Sequence, residues 1–312
     1  MASYRGRPLP RPDEDILHQG LAFDLATMRR RQALRVLGLG AVALGLGGCG
    51  DDEETPSTET DTVIGEIPDE TAGPYPGDGS NGPDVLTRSG VVRSDIRSSF
   101  GSSTTRAEGI PMTLTLAVQD LAGGGAPFAG VAVYVWHCDR SGRYSLYSEG
   151  ITGENYLRGV QIADDGGEVT FTSIFPACYT GRWPHIHFEV YPDQASISDA
   201  SNAIATSQVA LPENICEEAY TQTGYEASVT NLAQVSLDTD NVFGDDSGAL
   251  QLATVTGDAM SGYTVTLEAG VDTTTTPTGG RLTGDGAPSG APPGGPPPSG
   301  GPGGPGGPPP SR

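Results

Sequence analysis

Apolar and polar residues alternate along short segments in the middle of the chain. The alternation is clearest in residues 112–119 and predicts a half-buried β-strand there. Turn sequences rich in Gly, Asp and Pro, such as 124–127 and 164–167, separate the segments. This pattern favours an all-β fold, a β-sandwich of mainly antiparallel strands, over alternating strands and helices. Residues 213–233 fit either a helix or a loop. The further strands are predicted over 131–137, 168–174, 185–191 and 263–268.

Both ends of the chain differ in composition from this middle part. Residues 49–67 are mostly acids, Thr, Ser and Pro, which bury too little apolar area to fold, so they are predicted to form a flexible acidic tether. Residues 273–312 carry repeated Gly-Pro clusters without the strict third-residue glycine of collagen and are predicted to be a disordered tail. One domain is therefore predicted over residues 68–272, long enough to bury a core without depending on disulfides.

Residues 1–48 are predicted to be an export signal. Arginines cluster over 29–35, an apolar run covers 36–46, and small residues precede Cys49, as in a secretory signal. The Arg-Arg-Gln-Ala-Leu stretch resembles a twin-arginine signal, and Leu-Gly-Gly-Cys resembles a bacterial lipobox. This resemblance implies a lipid on Cys49 and an extracytoplasmic protein, anchored to the bacterial membrane or cell surface and exported in the folded state.

Two points about this segment stay open at the sequence level. An uncleaved anchor helix, with Cys49 as an ordinary buried residue, is the alternative to lipidation, although the acids after Cys49 fit a solvated tether better. The start of the chain is also open, because Met28 stands where such a signal normally begins, whereas Met1 gives an unusually long first region.

The chain is strongly acidic, with a formal net charge of −22 and no lysine. Residues 1–48 contain seven arginines and four acids, so the remainder carries a net charge of −25. No basic stripe is present that could neutralise phosphates, so nucleic acid is not an expected partner. We interpret the acidity as a source of solubility outside the cytoplasm rather than as a site for a specific cationic partner.

Three cysteines fall within the predicted domain: Cys138, Cys178 and Cys216. In an oxidising compartment one pair can be bridged, and three pairings are possible. The sequence favours Cys178 with Cys216, because Cys138 lies at the end of a strand that packing would bury.

A candidate metal site begins with His185 and His187. Residues two apart on a strand point to the same face, so both imidazoles project side by side, although such pairs are as often plain surface residues. Tyr179 lies six residues before His185, across a turn, and Tyr144 follows another turn at the end of a predicted strand. Phenolates favour Fe(III), and two neutral imidazoles complete such a site, which suits zinc and copper less well. His137 fits a structural or exposed role better than that of a ligand.

Four spaced blocks of sequence stand out, at residues 136–145, 156–161, 175–179 and 181–187. Together they resemble the intradiol ring-cleaving dioxygenases of the protocatechuate 3,4-dioxygenase type. The resemblance implies that Tyr144 and Tyr179 are phenolate ligands and that His185 and His187 are imidazole ligands of Fe(III). It also implies cleavage of a catechol-type aromatic by O2 between its two hydroxyl-bearing carbons. The region 201–271 has no counterpart in that resemblance. Weaker similarity to the same family is found at 70–75 and 93–96.

The resemblance also implies catalytic roles for two residues. Arg182 stands three residues before His185 and is expected at the edge of the metal site, where a fixed cation stabilises charge that develops on the substrate. The alternative is an exposed arginine that pairs with one of many acids. Tyr179 is favoured over Tyr144 as the tyrosine that accepts a substrate proton.

Three residues are candidate substrate contacts, namely Tyr75, Arg158 and Gln161. Two of them have a plainer alternative: Arg158 pairs with Asp164 or Asp165, and Tyr75 packs against a loop.

The sequence therefore predicts an enzyme, a non-haem Fe(III)-dependent intradiol dioxygenase that acts on a small catechol-type aromatic and O2. The rival prediction, from another functional class, is a surface binding module that keeps the sandwich and the iron and binds catecholate or aromatic ligands without turnover. The ring substituents and the oligomeric state are left open by the sequence.

Overall fold

The computed structural model describes residues 64–278, together with two short strands near the N-terminus, β1 (Ser3–Tyr4) and β2 (Arg7–Pro8), which pair antiparallel. The chain divides into two compact units, Met1–Thr60 and Asp61–Arg312. Apart from β1 and β2, the predicted export signal and Cys49 lie outside the described residues, as do most of the predicted tether and tail. Within the described residues no helix is both long and apolar enough to cross a membrane.

The described part of the second unit consists of strands joined by loops, with two short α-helices and single turns of 3-10 helix. Residues 213–233, which fit either a helix or a loop in the sequence, contain both of these helices. The elements are β3 (Pro111–Asp120), β4 (Ala126–Pro127), β5 (Ala132–Trp136), β6 (Arg158–Ile162), β7 (Glu168–Ile174), β8 (His185–Tyr191), β9 (Ala205–Ala210), α1 (Glu213–Ala219), α2 (Glu226–Leu232), β10 (Thr254–Asp258) and β11 (Gly262–Val271), with 3-10 turns at Ser196–Ser198, Ala200–Asn202 and Phe243–Asp245.

The strands of this unit form two sheets, and the predicted all-β sandwich is confirmed. One sheet has the order β10-β11-β3-β4, with β7 also paired to β3, and the other has the order β6-β5-β8-β9. All pairs are antiparallel except β3 with β11, which run parallel. The five strands predicted from the sequence are all present. Within this unit strands β4, β6, β9 and β10 were not predicted, and β4 lies in the segment 124–127 that was predicted to be a turn.

The main hydrophobic core lies between the two sheets. It contains Leu116 of β3 and Phe171 of β7 from one sheet, and Val135 of β5 and Phe188 of β8 from the other. The second sheet is buried on its other face as well, where Tyr134 and Trp136 of β5 belong to a separate cluster with residues from loops. A strand alternates its side chains between faces. The odd-numbered residues of β8 therefore point away from the main core and towards these loops.

The three cysteines of the domain are free thiols and are buried. The favoured bridge between Cys178 and Cys216 is therefore wrong. The Sγ of Cys178 donates to the carbonyl of Arg182, and the Sγ of Cys138 donates to the carbonyl of Ala177. Burial raises the pKa of Cys178 to about 12 and that of Cys216 well above its ordinary value. Such thiols stay protonated and behave as apolar core residues.

Candidate active site

Two histidines project from one face of β8. His185 and His187 are both buried, and their Nε2 atoms lie 3.1 Å apart. The Nδ1–H of His185 donates to the carbonyl of Trp183, which leaves the Nε2 lone pair of His185 directed into the site. His187 stacks on Trp136 with 4.8 Å between ring centroids. Burial lowers the pKa of both imidazoles, so both are neutral at neutral pH, the form that binds metals.

Tyr144 is presented to these histidines by a tight turn after β5. The carboxylate of Asp139 accepts hydrogen bonds from the backbone N–H groups of Ser141 and Arg143, and it also pairs with the Arg143 guanidinium. The turn directs Tyr144 inwards, where its ring centroid lies 6.3 Å from that of His187. The Tyr144 side chain is 1% exposed.

Tyr179 reaches the same point from the loop between β7 and β8. Its hydroxyl lies 3.2 Å from the Nε2 of His185 and donates to it. Helix α2 holds the preceding backbone, because Ser228 and Asn231 bond to the N–H and carbonyl of Cys178. The two tyrosine loops touch at Gly142, which has a φ of 81° and where a Cβ atom would lie only 3.1 Å from the Cβ of Tyr179. Glycine is required there by both conformation and space.

The four side chains fit a ferric ion. One of the four candidate donor atoms, the buried Tyr144 hydroxyl, has no hydrogen bond of ordinary geometry to the described residues. Burial raises the pKa of Tyr179 to about 12 and raises that of Tyr144 well above its ordinary value, so the phenolate forms require a nearby cation. Two phenolates and two neutral imidazoles are a donor set that favours Fe(III). The described residues contain no group of three or more His, Cys, Asp or Glu that could hold a metal instead.

Arg182 lies at the edge of these four residues, as predicted, and is not the exposed surface arginine of the alternative reading. Its side chain is 6% exposed. The Nε–H donates to Asp240 Oδ2 at 2.9 Å, and Nη2 donates to Gln208 Oε1 at 2.6 Å. The remaining nitrogen, Nη1, lies 3.5 Å from the Nε2 of His185. A fixed positive charge therefore borders the point at which the four predicted ligands converge.

Comparison with known proteins shows which family the chain resembles around this site. Residues 82–194 match the protein family described as Dioxygenase. The chain is 34% identical over 68 residues to chlorocatechol 1,2-dioxygenase of Rhodococcus opacus, an overlap of 22% of this chain and 26% of that protein. The resemblance to the intradiol dioxygenases is confirmed. The chain thus spans about a quarter of the length of that curated relative. Residues 82–194, which match the family, contain all four candidate ligands.

Two solved dioxygenases share the fold. An intradiol ring-cleavage dioxygenase from Tetranychus urticae superposes with a TM-score of 0.53 at 22% identity, over 69% of this chain and 98% of that one. A second dioxygenase structure superposes with a TM-score of 0.55 at 21% identity, with the same coverage of both chains.

A segment before the dioxygenase match crosses the face of the site. A Cβ atom on Gly73 would lie 3.4 Å from the Cε1 of His187, so the backbone passes close over that ring. Two residues further on, Tyr75 stacks on Tyr144 with ring centroids 5.0 Å apart. Tyr75 therefore borders the site, where it was predicted to contact substrate. Glu70 begins this segment, and its pKa is raised to about 8 by burial and then by the charges of Asp245 and Asp246, while Arg182 opposes the shift.

Sequence reasoning missed two residues of this site, Gln208 and Asp240. Gln208 lies on β9 directly opposite His187 of β8, and its Nε2 donates to the carbonyl of Thr71. Asp240 lies in the loop after α2, 58 residues from Arg182 in the sequence. Burial alone would raise the pKa of Asp240, but the charge of Arg182 and the Trp183 N–H hold it below its ordinary value. No local motif marks either residue, so only the fold reveals them.

Arg158 is not placed to contact substrate, contrary to one prediction, and it pairs with neither Asp164 nor Asp165, contrary to the other. It is buried, and its five N–H groups are all used. They donate to the Tyr75, Pro76 and Ser145 carbonyls and to the Ser145 and Tyr134 hydroxyls. Arg158 thus holds the Tyr75 segment from behind.

Gln161 also lies away from the predicted position. Alternation along β6 places Arg158 and Val160 on the face that bears the site, and Gln161 on the opposite face, beside Val133 of β5. Its amide donates to the neighbouring carbonyl of Val160. His137 is buried as a structural residue, as expected, with hydrogen bonds to the Ser173 hydroxyl and the Cys138 carbonyl.

Proposed function

We propose that this chain is a non-haem Fe(III)-dependent intradiol dioxygenase that cleaves a catechol-type aromatic with O2. The observation that carries the proposal is the convergence of Tyr144, Tyr179, His185 and His187 on one buried point. Three of their donor atoms are linked by separations of 3.1 and 3.2 Å. The fourth is the Tyr144 hydroxyl, which lacks an ordinary hydrogen bond to the described residues.

In this proposal the two tyrosines and two histidines hold the ferric ion. When bound, the ion supplies Lewis acidity towards the catecholate and the redox chemistry that lets an aromatic ring react with O2. The protein excludes bulk water, because all four side chains are at most 7% exposed. The segment with Gly73 and Tyr75 narrows the approach to the site.

Tyr179 is the proposed acceptor of a substrate proton. It is 7% exposed, against 1% for Tyr144, so it lies nearer the approach. Burial raises its pKa, while the charge of Arg182 opposes that rise. A phenolate at Tyr179 can therefore take the proton of a catechol hydroxyl and return to the neutral phenol, which its buried position favours.

Arg182 distinguishes the enzyme from the rival binding module. An iron site that only binds ligands needs its four donors and an opening. A guanidinium buried and fixed beside those donors suits stabilisation of negative charge that appears on the substrate during reaction.

Three measurements on the protein loaded with ferric salt test this function. We expect one iron per chain, a red-brown colour from tyrosinate-to-iron charge transfer, and uptake of one O2 per catechol. The ring-opened product should be a dicarboxylic acid that contains both oxygen atoms of O2, which isotope-labelled O2 and mass spectrometry detect. Colour without O2 uptake on any of a panel of catechols would favour the binding module. A colourless protein that binds zinc in place of iron would refute both.

We also propose that the protein acts outside the cytoplasm, anchored to the membrane through a lipid on Cys49. The support is the arginine cluster, the short apolar run and the Leu-Gly-Gly-Cys sequence that precede an acidic segment.

A further inference from the structure

Asp240 is 2% exposed, and both oxygens of its carboxylate accept hydrogen bonds. Oδ2 accepts from the Nε of Arg182 at 2.9 Å and from the backbone N–H of Trp183 at 2.7 Å. Oδ1 accepts from the backbone N–H groups of Val242 and Phe243 at 2.8 and 3.1 Å. One oxygen thus fixes the loop that carries Asp240, and the other fixes the segment that carries Arg182.

This arrangement defines the orientation of the Arg182 guanidinium. Asp240 holds the Nε edge and Gln208 holds Nη2, so the plane of the guanidinium is fixed at two points. Nη1 remains as the nitrogen that faces His185. A planar group held at two of its nitrogens loses its freedom to rotate, so the direction of the third is determined.

We propose that Asp240 is a positioning residue for the reaction, which holds the Nη1 edge of Arg182 towards the substrate. The inference rests on the proposed dioxygenase function. It gives a role in catalysis to the loop after α2, which lies beyond the segment that matches the dioxygenase family. Asp240 acts through Arg182 and has no hydrogen bond to the four candidate ligands.

Asp240→Asn separates this role from simple support of the loop. The amide oxygen of Asn can still accept from the N–H groups of Val242 and Phe243. Its NH2 group then faces two donors, Arg182 Nε–H and Trp183 N–H, so the contact with Arg182 is lost. The matched control is Asp238→Asn, which removes one charge from the same loop at an exposed position.

We expect Asp240→Asn to lower kcat by about tenfold to a hundredfold, the scale of a misplaced catalytic group, with KM for catechol changed much less. Iron content and colour should stay as in wild type, and Asp238→Asn should keep the wild-type kcat. The loss should also vanish in an Arg182→Ala background, because Asp240 then has no guanidinium to orient. An additive loss in that background, or an unchanged or raised kcat in the single variant, would overturn the proposal.

A second measurement is independent of turnover. In ¹⁵N-labelled wild-type protein the Nε–H of Arg182, assigned through Arg182→Lys, should exchange slowly with solvent because it is buried and bonded to Asp240. An Nε–H that exchanges as fast as those of exposed arginines would refute the positioning contact. If wild-type protein consumes no O2 while this N–H is protected, the proposed function fails and the Asp240–Arg182 contact stands without a catalytic role.

Discussion

Replacement of Arg182 tests whether the site performs chemistry or only holds iron. The guanidinium nitrogen Nη1 lies 3.5 Å from the Nε2 of His185. The positive charge of Arg182 is therefore close to any group bound at the four candidate ligands. A unit charge about 4 Å away is worth about 4 kcal/mol at an effective dielectric constant near 20. Asp240 on the far side of the guanidinium reduces this value. Loss of one preorganised charge-stabilising group typically costs about 3 kcal/mol, or roughly a hundredfold to a thousandfold in kcat.

We therefore expect Arg182→Ala to lower kcat by at least about a hundredfold. Arg182→Lys should recover only part of the loss, because an ammonium cannot bond to Asp240 and Gln208 and still face the substrate. Arg182→Ala should keep the colour of the iron-loaded protein, and its visible spectrum should still shift when catechol binds. Oxygen-electrode kinetics and visible titrations measure both properties.

Removal of Arg182 also leaves Asp240 as a buried, unpaired carboxylate, which typically costs about 3 to 5 kcal/mol of stability. The double variant Arg182→Ala with Asp240→Asn avoids that penalty and is the proper reference for the kinetic comparison. A wild-type kcat in Arg182→Ala would show that Arg182 has a structural role and takes no part in the reaction. Loss of iron from the stable double variant would make it a support for the histidine strand. Either result would refute the assigned role.

Three further predictions concern the metal, the pH dependence and the anchor. His185→Ala and His187→Ala should each lose most bound iron in metal analysis, because each removes one of four donors; full occupancy in both would contradict the ligand assignment. Glu70 has a pKa raised to about 8 in the folded state, so the stability it contributes is present below pH 4.5 and is lost as pH rises through 8. Glu70→Gln should flatten the fall in unfolding free energy between pH 5 and 8.5 in urea titrations, whereas the exposed control Glu66→Gln should leave the slope unchanged; equal slopes for Glu70→Gln and wild type would disprove the assignment. Cys49→Ser should release the protein from the membrane fraction, and a variant that stays there would support an uncleaved anchor.

The sequence predicts the ligands because their geometry is local. The pair His185 and His187 needs only the two-residue period of a strand, and β8 has that period. Tyr144 and Tyr179 each follow a short turn close to a strand end, so the local sequence around each tyrosine predicts its position near the histidines. Strand β9 gave no comparable signal, since its sequence, Ala-Thr-Ser-Gln-Val-Ala, does not alternate apolar and polar residues.

The residues that orient Arg182 could not be predicted in this way. Gln208 and Asp240 reach the site through the pairing of β9 with β8 and through a loop distant in sequence. Arg158 was misjudged for a related reason: arginine is rarely buried without a carboxylate, so a solvent-facing or pocket position was the natural expectation. Its five donors are instead satisfied by carbonyls and hydroxyls that the fold gathers around it.

The buried pair of Arg182 and Asp240 bears on the choice between enzyme and binding module. Taking two charges out of water costs several kcal/mol for each ion, and their attraction often does no more than offset that cost. A fold that needed only stability at this point would gain as much from two apolar side chains of similar volume. Here the pair is 6% and 2% exposed, and Arg182 also approaches the donor atoms of the candidate metal site. A costly charge kept at that position is better explained by a reaction in which negative charge appears than by ligand binding alone.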